Sequence, residues 1–363
     1  MFCEYRFVIC LFIFGLGSLA TSKQTNADLF GVGIKSNEVY LFNQNTGART
    51  VFNTLPTSIT TSRFLTGIAV NPNSGRVYVS SFGDGVFTFD GTTANSTVTR
   101  LPGTFTGAGT TTLFAGITVN PVNGNIYVAN TDFSTASIRV FNSEGIEQAS
   151  LPGVGTGGLL YRNVGPQGQL LVGSGLFAGS PGVQDIASID LQTGLPGGFA
   201  VSNLVVPINQ LAADASGNVY AGTTDTGFLG SNNVYRYNSS GDLTGNPLQT
   251  ITTGILPIVP IAGTPSDFTS PAGLTIDSDG NVYVGVQGDT KLSPLNVSQM
   301  AGGTVLKYSS AGTLLGGFNA GAVSINSLAM QVTSVPEPSA LALAAMTIGM
   351  TYFCRKSRRN DVS

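Results

Sequence analysis

The sequence predicts an all-β fold, a β-propeller of six four-stranded blades closed by a C-terminal strand. Three observations predict it. A phrase of strand, tight turn and strand recurs five times between Gly67 and Val286. A third strand with its own turn follows each copy. The composition is turn-rich and poor in charge, with 48 Gly among 363 residues, no Trp, and 10% charged residues, where an average soluble protein has about 25%.

The copies run from Gly67 to Ser81 (GIAVNPNSGRVYVSS), Gly116 to Asn130 (GITVNPVNGNIYVAN), Leu211 to Thr223 (LAADASGNVYAGT) and Gly273 to Val286 (GLTIDSDGNVYVGV), with a degenerate copy from Leu160 to Ser174 (LYRNVGPQGQLLVGS). Ser-Gly, Asn-Gly and Asp-Gly turns between alternating apolar runs signal hairpins. The third strands begin at Val86, Ser137, Ala187, Asn233 and Thr304, and a weaker fourth follows, as at Thr97 and Gly145. Four strands per unit make a propeller blade. The first unit, from Asp28, reads as strands two and three without a first strand. The segment from Ser327 (SLAMQV) reads as the missing inner strand. Its pairing would close the ring and leave no open sheet edge.

The phrase resembles the NHL repeat, G-I-A-V-D-x-x-G-N-V-Y-V, over residues 28–332. That resemblance implies a propeller and does not imply an activity.

Two end segments read as addresses. Residues 1–20 have the layout of a cleavable signal peptide: Arg6, an apolar run from Phe7 to Leu16, then Ser18-Leu19-Ala20. Residues 335–359 hold Pro336-Glu337-Pro338, an uncharged run from Ala340 to Cys354, and the basic cluster Arg355, Lys356, Arg358 and Arg359. An apolar helix followed by basic residues stops in the membrane with the cluster inside. This tail resembles the PEP-CTERM sorting signal of exosortase-bearing bacteria. The resemblance implies that an exosortase-type protease recognises the triplet and removes the helix. The expected location is therefore the cell surface or extracellular matrix, with a transient membrane anchor. Proteins with such tails are commonly linked to polysaccharide matrix, which makes polysaccharide or a surface protein the expected partner.

Charge excludes one partner class. Between Asp28 and Ser334 there are 10 Lys+Arg against 16 Asp+Glu, a net −6. There is no basic stripe, so nucleic acid is not expected. Cys3, Cys10 and Cys354 all lie in the end segments, so no disulfide is expected in the repeat domain. The chain has no His, which removes the commonest neutral-pH base and metal ligand. The repeat resembles that of streptogramin lyases, whose chemistry depends on a His. The opening motif of sugar-lactone hydrolases is missing.

Blade topology sorts the loops into two faces. The one–two and three–four turns leave on one face and read as short. The two–three loops and the links between blades leave on the other and vary in length, which marks that face for binding. Five two–three loops carry an aspartate: Asp84, Asp132, Asp185, Asp225 and Asp289, with Glu38 at the corresponding place in blade 1. A ring of carboxylates can hold Ca²⁺. Each Asp can equally cap its own turn, and that reading is favoured. Asp277-Ser278-Asp279-Gly280 resembles the start of an EF-hand loop, but Val286 stands where its glutamate belongs, so it reads as a hairpin turn. The sequence thus predicts an exported, non-catalytic binding or scaffold propeller. The alternatives are a metal-dependent, lactonase-like hydrolase and a purely structural surface protein.

Overall fold

The computed structural model describes residues 28–331 except 35, 58–64, 82, 105–113, 131–136, 153–156, 165–166, 174–184, 196, 202–207, 224–231, 243–246, 254–269, 288–303 and 320–323. All described residues lie in one compact unit, Asp28–Val332. Both address segments lie outside them. Among the described residues no helix is long and apolar enough to cross a membrane.

The unit is a ring of six antiparallel sheets. Blade 1 holds β1 (Leu29–Ile34), β2 (Glu38–Phe42) and β3 (Arg49–Thr54). Blade 2 is β4 (Leu65–Val70), β5 (Arg76–Ser81), β6 (Gly85–Asp90) and β7 (Thr99–Arg100). Blade 3 is β8 (Phe114–Val119), β9 (Ile126–Asn130), β10 (Ser137–Phe141) and β11 (Glu147–Pro152). Blade 4 is β12 (Leu159–Arg162), β13 (Gln169–Gly173), β14 (Ile186–Asp190) and β15 (Ala200–Val201). Blade 5 is β16 (Ile208–Ala213), β17 (Val219–Thr223), β18 (Asn233–Tyr237) and, after the short β19 (Gly241–Asp242), β20 (Gln249–Thr252). Blade 6 is β21 (Ser270–Ile276), β22 (Val282–Gln287), β23 (Thr304–Tyr308) and β24 (Leu314–Asn319).

The last strand, β25 (Ser324–Met330), is the inner strand of blade 1 and pairs with β1 from Leu29↔Met330 to Ile34↔Ser324. The closing segment is therefore the one read from the sequence, beginning three residues before Ser327. The inner strands β25, β4, β8, β12, β16 and β21 touch one another in turn around the ring. Gly273 makes one of these contacts close: a Cβ there would lie 2.9 Å from Leu328 Cγ.

Each blade is buried on both faces, so its strands read as nearly continuous apolar runs rather than strict alternations. Six clusters fill the six gaps between neighbouring blades. In β5, Val77 and Val79 face blade 1, whereas Tyr78 between them faces blade 3. The period-two alternation of a strand thus sorts side chains between two cores. Phe30 and Phe52 meet edge to face across the blade 1 sheet, 5.0 Å apart.

The tight turns have a shared mechanism. Asp277 Oδ1 accepts the backbone N–H groups of Asp279 and Asn281 at 3.0 and 2.8 Å, and Gly280 takes φ +81°. Asp214 does the same for Ser216 and Asn218. The EF-hand-like stretch is therefore a hairpin turn.

The three–four connections are not uniformly short. Those of blades 2, 4 and 5 occupy 91–98, 191–199 and 238–248, against 142–146 in blade 3. Length variation therefore falls on both faces. Blade 4 departs furthest: β15 also pairs in parallel with β19, tying blade 4 to blade 5.

Ring closure is tested by Leu328, which is buried where β25 meets blade 6. Leu328→Ala should lower stability by about 2–5 kcal/mol in urea unfolding. A loss below about 1 kcal/mol would mean that β25 is peripheral.

Candidate functional site

Two of the five loop aspartates are described. Asp84 precedes β6 and is 4% exposed; its carboxylate accepts the Ser81 hydroxyl at 3.0 Å. Asp185 precedes β14 and is 2% exposed, and its backbone N–H donates to Val201 O at 2.9 Å. Both sit in the two–three connections of their blades, folded into the protein. Asp132, Asp225 and Asp289, and the triplet Pro336, Glu337 and Pro338, lie outside the described residues. Among the described residues no group of three or more His, Cys, Asp or Glu could hold a metal ion.

Glu38 is likewise engaged locally. The Tyr40 hydroxyl donates to its Oε2 at 2.6 Å, and its own N–H donates to Ser36 Oγ at 3.0 Å. Burial, reinforced by that carboxylate, pushes the Tyr40 phenol up to about 12. Burial also raises Tyr308 to about 12; its hydroxyl donates to Thr253 O of blade 5 at 2.8 Å.

The opposite face carries a groove that sequence reading did not single out. It lies between blades 2 and 3, at the ends of their strands joined by the one–two and three–four connections. It has two lobes, of about 550 and 700 Å³, that share Arg76, Asp90 and Ser143. Such volumes fall within the usual range for ligand sites, about 300–1,000 Å³. Arg76 opens β5 and faces Asp90 across the β5–β6 pair. Ser143 and Glu144 come from the turn of blade 3.

The groove's polar groups are set by local chemistry. Thr92 donates both its N–H and its hydroxyl to Asp90 Oδ1, at 2.9 and 2.7 Å, and Thr93 adds its hydroxyl to Oδ2 at 3.2 Å. These bonds, the Thr92 N–H first, hold the Asp90 carboxyl below its ordinary range. Ser143 donates to Glu144 Oε1 at 2.7 Å. Arg76 is exposed and forms no ion pair among the described residues. Its guanidinium lies beside the Tyr78 phenol, which burial pushes up while Arg76 draws it back down.

The repeat itself held the signal for Arg76. The residue after each turn glycine is Asn125, Gln169, Asn218 or Asn281 in the other copies. Asn218 and Asn281 spend that side chain on their own turns, donating to Asp214 and Asp277 at 2.8 Å. Only in blade 2 is this position an arginine.

No protein-family model matches the chain, and no curated protein matches it. Solved structures do share its fold. A protein of unknown function from Bacteroides caccae is 14% identical over 84% of this chain and 98% of its own, with a TM-score of 0.55. A chain in the crystal structure of a nidogen–laminin complex is 11% identical over the same shares, with a TM-score of 0.53.

The two tyrosines give a sign to the alkaline response. An unfolded tyrosine ionises near 10, and both folded phenols ionise near 12. Their contribution is therefore whole below about pH 10 and is lost as pH rises through about 12. The urea midpoint should fall across that window, and Tyr308→Phe should flatten the fall. An unchanged slope in the variant would contradict the assignment.

Proposed function

We propose that this chain is an exported, surface-displayed propeller that acts by binding rather than by catalysis. The groove between blades 2 and 3 carries the binding part of this reading. It is a concave, mixed polar and apolar surface on a closed ring of blades. The export part rests on the two address segments, the signal layout of residues 1–20 and the ordered triplet, apolar run and basic cluster of 335–359. The NHL-like reading of the repeat belongs to the same proposal. The nidogen–laminin complex adds a fold-level precedent for a propeller in a structure of bound partners.

The rival reading, a metal-dependent hydrolase, needs carboxylates free to converge on the channel. Asp84 counts against it, because it is buried and accepts a hydroxyl from its own loop.

Expression of the full chain in a host that carries an exosortase tests the export reading. The protein should be recovered outside the cytoplasm with the residues beyond the Pro336–Pro338 triplet removed, as read by intact mass. Glu337→Ala should leave it membrane-bound and full length at the C-terminus. Cytoplasmic accumulation of the wild-type chain would overturn the reading.

A further inference from the structure

The geometry points to the groove between blades 2 and 3 as a binding site for a neutral, hydroxyl-rich oligosaccharide strand. The inference rests on the binding reading above and specifies its ligand class.

Four observations carry it. First, Arg76 breaks the repeat where the other copies have an amide, and its guanidinium stands in the part shared by both lobes. A guanidinium offers a planar fork of donors, which suits paired hydroxyl or ring oxygens. Second, the walls are fixed to one another. Asn73 Nδ2 donates to Pro121 O at 2.5 Å, and Gly103 N–H donates to Gly145 O at 3.1 Å, so hydrogen bonds cross from blade 2 to blade 3 beside both lobes. The 91–98 connection is also pinned to blade 1, through Asn95 N–H to Phe52 O at 2.9 Å and Asn53 Nδ2 to Ser96 O at 3.0 Å. A site fixed before binding loses less freedom when it is filled.

Third, the lining mixes polar and apolar groups. Asp90, Glu144 and Arg76 present planar polar groups, while Leu101 and Pro102 line one lobe and Pro121 and Val122 the other. Val122 is 74% exposed. Sugar rings have this same duality, with hydroxyl edges and C–H faces. Fourth, the charges select against acidic chains. The lining holds one guanidinium, Arg76, against two carboxylates, Asp90 and Glu144, so its net charge is negative and a uronate chain is repelled. A compact pocket would suit a monosaccharide, whereas two joined lobes suit a chain lying across Arg76.

Calorimetric titration of the full chain with neutral hexose oligomers, β-linked and α-linked gluco-oligosaccharides and N-acetylglucosamine oligomers, tests the site. A uronate oligomer serves as the acidic comparison. At least one neutral series should bind, with affinity rising with length, and the uronate should bind more weakly. Arg76→Ala and Val122→Asp should each weaken the neutral ligand about tenfold or more. Arg76→Lys should fall between, because it keeps charge and loses the fork. Leu195→Ala, on the exposed turn of blade 4, should leave binding unchanged. All three positions are exposed, and matching urea midpoints verify that the variants fold. Oligosaccharide binding insensitive to both groove substitutions would overturn the site. Failure of every neutral oligomer, with the uronate oligomer bound instead, would overturn the ligand class and leave the binding reading standing. Failure of all ligands would remove both.

Discussion

Everything in this fold depends on one antiparallel pairing, that of β25 with β1. It joins residues from the two ends of the propeller into one sheet. Without it β1 would be a bare inner edge, and blades 6 and 1 would lose the cluster built on Leu29, Tyr283, Ile325 and Leu328. A row of unpaired backbone groups is a template for aggregation. The ring therefore exchanges a long-range closure for six equivalent interfaces, with each blade supplying half of two cores.

That arrangement explains the repeat phrase residue by residue. The aspartate or asparagine that opens a turn accepts backbone N–H groups. The turn glycine takes a positive φ that other residues resist. The strand after it must be apolar on both sides, because each side faces a neighbouring blade. Tyr283 is the fullest example: it is buried between blades 6 and 1, and its hydroxyl lies 3.0 Å from both Asp277 Oδ2 and Gln44 Oε1. Blade 4 breaks these rules together. Arg162 stands where the turn-opening residue belongs, buried at 7% exposure, stacked over Phe199 at 5.2 Å, with Nη2 donating to Ser239 O of blade 5. The degenerate copy is thus a place where the turn cap gives way to a tie between blades.

Fold and site were not equally legible. Blade number, strand order and the closing segment could be read because each rests on a local pattern repeated in register. The unequal three–four connections could not be read, because sequence spacing does not say where strand four begins when it is as short as β7 or β15. The aspartates stand out in the sequence as a set of acids, yet Asp84 and Asp185 are buried in the fold. The sign of a site lay elsewhere, in a departure from the repeat. Arg76 is conspicuous only when the copies are aligned on their turn glycines. The groove around it also needs Ser143 and Glu144, which arrive from the next blade through tertiary packing.

Native-state hydrogen exchange of the backbone amides of β1 and β25 reads out closure of the ring. Closure predicts that these amides exchange only through global unfolding, with the same free energy and denaturant dependence as the innermost amides of blades 2 and 3. Exchange of β25 through a low-energy local opening, while the other blades stay protected, would contradict it. The ring would then be held by its other interfaces, with β25 a loosely attached terminal strand.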